Sequence, residues 1–225
     1  MQTNEIYNMD CFIGLDKLED KCVDYAFTSP PYNRKRNDKY TLYDDTVVDY
    51  EQFLTSVVEK LRRVVKKHIF LNIQTNFYNK KEVYRFIGNH ADVIQNIIIW
   101  EKANPMPASG LNVTNAFEYI IVIGEEPFKA NHTYTKNHVT TPVNSKTTLK
   151  EHRAVMNSVL ATWMFQSFIP KGSLVIDPFM GCGTTAVTAL ENGCSYIDFE
   201  IVEEYCNIAN KRIEESEGRK ECLEW

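Results

Sequence analysis

The sequence predicts an α/β fold built on a mostly parallel sheet, and three observations carry that reading. Apolar runs of strand length alternate with helical runs along most of the 225 residues, the pattern left by strands joined through crossover helices. An early apolar run ends at Thr28 and is stopped by the dipeptide Pro30–Pro31. A late run ends at Asp177 and enters a turn holding Gly181 and Gly183, after which Thr184 and Thr185 open a helix.

Taken in order, residues 6–31 read as a short strand, a helical piece and a second strand ending at Thr28. From Tyr50 the chain is an amphipathic helix, because Phe53, Leu54, Val57, Val58, Leu61, Val64 and Val65 recur at helical spacing. It runs into a strand over 68–74. A helix over 80–91 and a strand over 92–102 follow. From Ala103 to Arg153 the helical period fades, and Pro105, Pro107, Gly110, Pro127 and Pro142 punctuate the chain. One apolar run there, 117–124, reads as a strand. Residues 152–169 are helical, 172–179 a strand, 183–193 a helix, 195–201 a strand and 202–216 a helix.

Composition narrows the options. With 44% hydrophobic residues the chain can fill one substantial core or two small ones. A net charge of -5 excludes a wholesale basic coat, so any nucleic-acid contact has to be a local patch. The six cysteines, Cys11, Cys22, Cys182, Cys194, Cys206 and Cys222, include no Cys-x-x-Cys pair, which supports neither a zinc site nor a redox motif. The N-terminus is polar and no apolar run is long enough to span a bilayer. A cytoplasmic protein with reduced thiols and no membrane partner is the expectation.

The glycine turn is the most informative segment. Glycines permit tight turning and close backbone approach, and the helix start offers free N–H groups. The turn lacks the Gly-Lys-Ser/Thr of a phosphate-binding loop and the third glycine of the dinucleotide pattern. The next strand ends in Glu200, placed where an acid takes ribose hydroxyls. A nucleoside ligand without a polyphosphate fits, a description that S-adenosylmethionine meets.

The motif Thr28-Ser-Pro-Pro-Tyr32 near the start, with Asp177-Pro-Phe-Met-Gly-Cys-Gly-Thr-Thr185 near the end, resembles the DNA amino-methyltransferases in the β arrangement. There the catalytic motif comes first, target recognition second and the cofactor motif last. Blocks at 8–33, 97–107, 117–125, 152–160 and 177–213 match in that order and cover nearly the whole chain. The resemblance implies a single domain over 1–225, a seven-stranded sheet flanked by helices, and an inserted target-recognition region over 103–153. It implies S-adenosylmethionine bound by Phe179, Gly181 and Gly183, with Asp177 near the methionine end, Thr184 near its carboxylate, Glu200 on the ribose and Asp10 near the adenosine. The block with His152 and Ala154 would close over the methionine portion. Two positions depart from the family: Asn157 stands where proline is usual, and Asp198 where glycine is usual.

The chemistry at Ser29, Pro30, Pro31 and Tyr32 follows from the nature of an exocyclic amino group. Its lone pair is delocalised into the base. The Ser29 hydroxyl and the Pro30 carbonyl are acceptors that would draw it toward tetrahedral geometry as positive charge develops. Tyr32 would stack on the extruded base. Methyl transfer to cytosine C5 would need a cysteine nucleophile after proline, and the chain has no Pro-Cys dipeptide. Ser29, where adenine-directed members usually carry aspartate, points to cytosine N4. N6-adenine methylation by the same route stays open, as do methylation of RNA, protein or a small molecule, and a catalytically silent cofactor-binding subunit of a DNA-modification complex. Arg34, Lys35, Arg36 and Lys39 lie beside the motif as phosphate contacts for duplex DNA. Lys129, Lys136, Lys146, Lys150 and Arg153 form a second basic set. A homodimer, a helper subunit or a cognate restriction endonuclease would be compatible partners.

Overall fold

The structure is a computed structural model that describes residues 1–34, 44–105, 107, 110, 113–142 and 156–221. Eight strands and six helices follow one another along these residues: β1 (Glu5–Asn8), α1 (Cys11–Asp16), β2 (Val23–Thr28), α2 (Tyr50–Val64), β3 (Val65–Ile73), α3 (Lys80–Asn89), β4 (Ile94–Lys102), β5 (Phe117–Gly124), β6 (His138–Thr141), α4 (Ser158–Phe168), β7 (Leu174–Asp177), α5 (Thr184–Glu191), β8 (Ser195–Glu200) and α6 (Glu203–Glu221). They form one sheet in the order β1-β8-β7-β2-β3-β5-β4-β6. Only β5 runs against the rest, pairing antiparallel with β3 and β4.

The α/β expectation stands, with corrections at three elements. The sheet has eight strands rather than seven. The extra one, β6, is four residues long and pairs parallel with β4, Trp100 opposite Val139. Its run is too short to show a period, so only its partner reveals it. The second correction is at Val65, which fell at helical spacing but begins β3, paired with Val23. A β-branched residue is at ease in either pattern, and the neighbouring strand decides. The third is α4, which starts at Ser158 rather than His152. Asn157 caps it by accepting from the N–H groups of Val159 at 2.8 Å and Leu160 at 3.1 Å. A residue with that capping role explains the departure from proline at this position.

Strand alternation sends side chains into two cores. Ile69, Leu71 and Ile73 pack with Leu54, Val58 and Leu61 under α2 and α3. On the opposite face Phe70, Ile120 and Val122 pack with Leu160, Met164 and Phe165 of α4. The sheet is thereby buried on both faces, as parallel sheets are. The order of strands also fixes where a ligand can sit. From β2 the chain crosses to β3 on one side, and from β7 to β8 on the other, while β2 and β7 lie side by side. This reversal opens a crevice at the carboxyl ends of those two strands.

Candidate active site

Both sequence motifs emerge at that crevice, Ser29–Tyr32 from β2 and the glycine turn from β7. A buried polar seam joins them. The Thr28 hydroxyl donates to Asp177 Oδ1 at 2.6 Å, the Thr185 hydroxyl donates to Asp177 Oδ2 at 2.7 Å, and the Phe179 N–H donates to Oδ1 at 3.0 Å. Burial pushes the Asp177 carboxyl up to about 6, against these hydrogen bonds, which favour the ionised form. Asp177 thus joins the two turns.

Backbone conformation explains the glycines. Gly181 has φ 55° and Gly183 φ 77°, values that side-chain-bearing residues rarely adopt. A Cβ on Gly183 would also lie 2.7 Å from the Cβ of Ala209. Part of the role of this glycine is to let α6 close on α5. Thr184 is buried at the first turn of α5, and Arg212 of α6 reaches its hydroxyl at 3.4 Å and donates to the Cys182 carbonyl. Sequence reasoning missed Arg212, since nothing in a helical period marks one arginine as an anchor for a distant turn.

Glu200 ends β8 beside the turn. Its Oε2 accepts from the Gly181 N–H at 2.8 Å and its Oε1 from the Val202 N–H at 2.9 Å. Desolvation raises its carboxyl, and those N–H groups oppose the rise. Each oxygen keeps a further lone pair for a ligand hydroxyl. Asp10 follows β1, the neighbour of β8, and caps α1 through Oδ1, at 2.9 Å from the Phe12 N–H. The Phe179 ring packs 5.9 Å from that of Phe53. Glu200, Asp10, Phe179 and the two glycines therefore share the carboxyl ends of β1, β8 and β7. Asp198 lies beneath them. It is completely buried, accepts from the Asp177 N–H at 2.8 Å through Oδ1, and leaves Oδ2 without a partner among the described residues. Desolvation, and then the Asp177 charge, hold its carboxyl well above the usual range.

The Ser29–Tyr32 turn is fixed from several sides. The Pro31 carbonyl accepts from the Tyr50 hydroxyl at 2.7 Å, and the Tyr32 carbonyl from Asn76 and Asn79, each at 2.8 Å. Among the described residues none donates to the Pro30 carbonyl. The Ser29 hydroxyl accepts from Asn72 Nδ2 at 2.9 Å and lies 3.4 Å from the Tyr32 hydroxyl. Asn72 Nδ2 also meets the Tyr32 hydroxyl at 2.7 Å and Glu118 Oε2 at 2.9 Å, and Tyr32 donates to that same Oε2 at 3.0 Å. Burial and the nearby Glu118 charge raise the Tyr32 phenol, which stays a neutral donor. The other Glu118 oxygen faces Lys102 Nζ at 2.6 Å, in a pair with side chains only 10% and 5% exposed. This polar row crosses β3, β5 and β4 on the face toward α4. The signal for it was a lone Asn and a lone Glu in apolar strand runs, legible only once the strands are adjacent.

Arg34 is the described member of the basic segment. Its guanidinium donates to Gln74 at 2.8 Å and lies 5.5 Å from the Tyr32 ring centroid. Lys35, Arg36, Lys39 and His152 lie outside the described residues. Among the described residues no cluster of His, Cys, Asp and Glu is arranged to hold a metal, and no helix is long and apolar enough to cross a membrane.

The sequence and the fold have known relatives. The type II methyltransferase M1.MboII of Moraxella bovis is 24% identical over 257 residues, covering 93% of this chain and 96% of the relative. Among solved structures, the PvuII DNA methyltransferase (cytosine-N4-specific) superposes with a TM-score of 0.77 at 17% identity, covering 94% of this chain and 86% of that one. The M1.HpyAVI–SAM complex superposes with a TM-score of 0.68 at 20% identity, covering 93% and 98%. At those identities the two structures speak for the fold alone. The family model for N6 and N4 methyltransferases, described as DNA methylase, matches residues 23–211, and the chain belongs to that family.

Proposed function

We propose that this DNA amino-methyltransferase uses S-adenosylmethionine to methylate the exocyclic N4 of cytosine in duplex DNA, by base flipping and direct displacement. The observation that carries the reading is the pairing of two acceptors, the Ser29 hydroxyl and the Pro30 carbonyl, which accepts from none of the described residues, on a turn tied through Thr28 and Asp177 to the glycine turn.

The residues present suit the cofactor. Glu200 has lone pairs to spare for ribose hydroxyls, and Asp10 has a second carboxylate oxygen beyond its cap. Phe179 offers a half-buried ring. S-adenosylmethionine, when bound, supplies a methyl group made electrophilic by its sulfonium. The chain's own residues do the rest. Ser29 and Pro30 accept the two amino N–H bonds of the target and localise the nitrogen lone pair. The two prolines and the hydrogen bonds from Tyr50, Asn76 and Asn79 keep those acceptors in place, so little reorganisation accompanies the reaction. Tyr32 presents its ring to the flipped base, a stacking interaction of about 1–3 kcal/mol. The 103–153 stretch is the proposed target-recognition region, although its β5 and β6 belong to the main sheet.

Ser29 in place of aspartate supports cytosine. The test is digestion of methylated DNA to nucleosides and weighing by mass spectrometry. N4-methylcytosine is the expected product. N6-methyladenine would overturn the target base while leaving the mechanism, and 5-methylcytosine would overturn both.

A further inference from the structure

The loop between β3 and α3 lies outside both segments that the sequence marks for DNA. It leaves the carboxyl end of β3, the same sheet edge as the Ser29–Tyr32 turn. Phe77 at its tip is 82% exposed and Tyr78 46%. These aromatics are not exposed through slack. The Asn76 N–H donates to Asn79 Oδ1 at 2.7 Å, the Tyr78 N–H to Asn76 Oδ1 at 2.8 Å, and Asn79 Nδ2 to the Gln74 carbonyl at 3.0 Å. Asn115 holds the Thr75 carbonyl from the side of β5. The two asparagines then reach across to the Tyr32 carbonyl. A stiff loop thus holds a large apolar ring in water, next to the catalytic turn. Leaving such a ring exposed forfeits its burial energy, which a binding partner would recover.

The helix that follows adds charge to the same edge. Lys80, Lys81, Tyr84 and Arg85 are exposed at one-and-four spacing on α3. None of the three cations has an acidic partner among the described residues. Glu82, half-buried, is the one acid in that turn. Arg34, held by Gln74 at the base of the loop, extends the basic rim to Tyr32. Cations interleaved with exposed aromatics suit a partner that is at once anionic and stacked, which duplex DNA is.

We propose that the 74–79 loop and the exposed face of α3 contact duplex DNA beside the flipped base, with Phe77 against the base stack and Lys80, Lys81 and Arg85 on phosphates. This rests on the chain's being a DNA methyltransferase and names a surface for it. In the test, affinity for a fluorescent mixed-sequence 30-mer duplex is measured against salt, and turnover is measured on unmethylated amplified genomic DNA with labelled cofactor. Lys80→Ala with Lys81→Ala should lower the slope of log affinity against log salt by about 2, one for each phosphate contact. Lys67→Ala, at the opposite end of β3, should leave it unchanged. Phe77→Ala should raise the KM for DNA about tenfold without altering cofactor affinity. Melting temperatures should match wild type, since these side chains are exposed. Wild-type slope and KM in both variants, with wild-type enzyme active on DNA, would overturn the proposal. So would sedimentation in which the variants lose a dimer but keep DNA affinity, because the face would then bind a second copy of the chain. Failure of the wild-type enzyme to methylate DNA would instead overturn the reading on which the proposal rests.

Discussion

Glu118 Oε2 lies 2.9 Å from Asn72 Nδ2, and through that contact a buried carboxylate on β5 reaches the Ser29–Tyr32 turn on the far side of β3. The same oxygen receives the Tyr32 hydroxyl. The amide orientation of Asn72 follows from the carboxylate, which accepts and cannot donate, so Ser29 is presented with an N–H rather than a carbonyl.

Removing the Glu118 charge alone would strand the largely enclosed Lys102, at a cost of up to about 3–5 kcal/mol. The informative comparison therefore pairs each change with Lys102→Met. With Glu118→Gln an acceptor for Tyr32 and Asn72 survives; with Glu118→Leu it does not. The Leu pair should show kcat lower by between about 10- and 100-fold, the range for misplaced catalytic groups, with cofactor affinity equal in the two. Equal kcat values would show the row to be structural only.

Asp198 should make stability depend on pH. Its folded carboxyl titrates well above the ordinary 3.8. As pH rises past that value the unfolded chain releases the proton while the folded chain retains it, so stability falls with pH until the folded group itself ionises. Asp198→Asn preserves the acceptor for the Asp177 N–H and mimics the neutral form. The variant should match wild type near pH 4 and exceed it at pH 7, by about 1.4 kcal/mol for each pH unit over which the folded Asp198 stays protonated while the unfolded chain is ionised. Asp177, raised to about 6, contributes a decline of its own, so the difference between the two proteins is the quantity to read. Urea unfolding at a series of pH values gives it, and parallel curves would remove Asp198 as the cause.

At Gly183 two causes can be separated. Gly183→Ala meets both the positive φ and the Ala209 Cβ at 2.7 Å. The left-handed conformation costs about 1–2 kcal/mol for a residue with a Cβ, and the overlap adds to it. Ala209→Gly removes only the overlap. Thermal melting should show Gly183→Ala clearly destabilised and the double variant partly restored. Calorimetry should show weaker S-adenosylmethionine binding in both, since the turn is displaced either way. Full recovery of binding in the double variant would mean that the turn matters for packing alone.

The sequence by itself determined the α/β class, the order of motifs and the chemical character of the two turns. Those features are local. Pro30–Pro31 stops a strand whatever surrounds it, a Gly-x-Gly turn opens a helix, and the period of apolar residues reports which stretches can bury a face. What only the tertiary structure decided depends on which strands become neighbours. The crevice exists because β2 and β7 are adjacent, so that Thr28 meets Asp177 across 149 positions of the chain. β6 exists as a strand because β4 offers it an edge. Glu118, Lys102 and Asn72 read as single polar residues in three apolar runs, and they become one row when β3, β5 and β4 are laid side by side. Hydrogen bonds and ion pairs act over about 3 Å, a range at which distance along the chain carries no information.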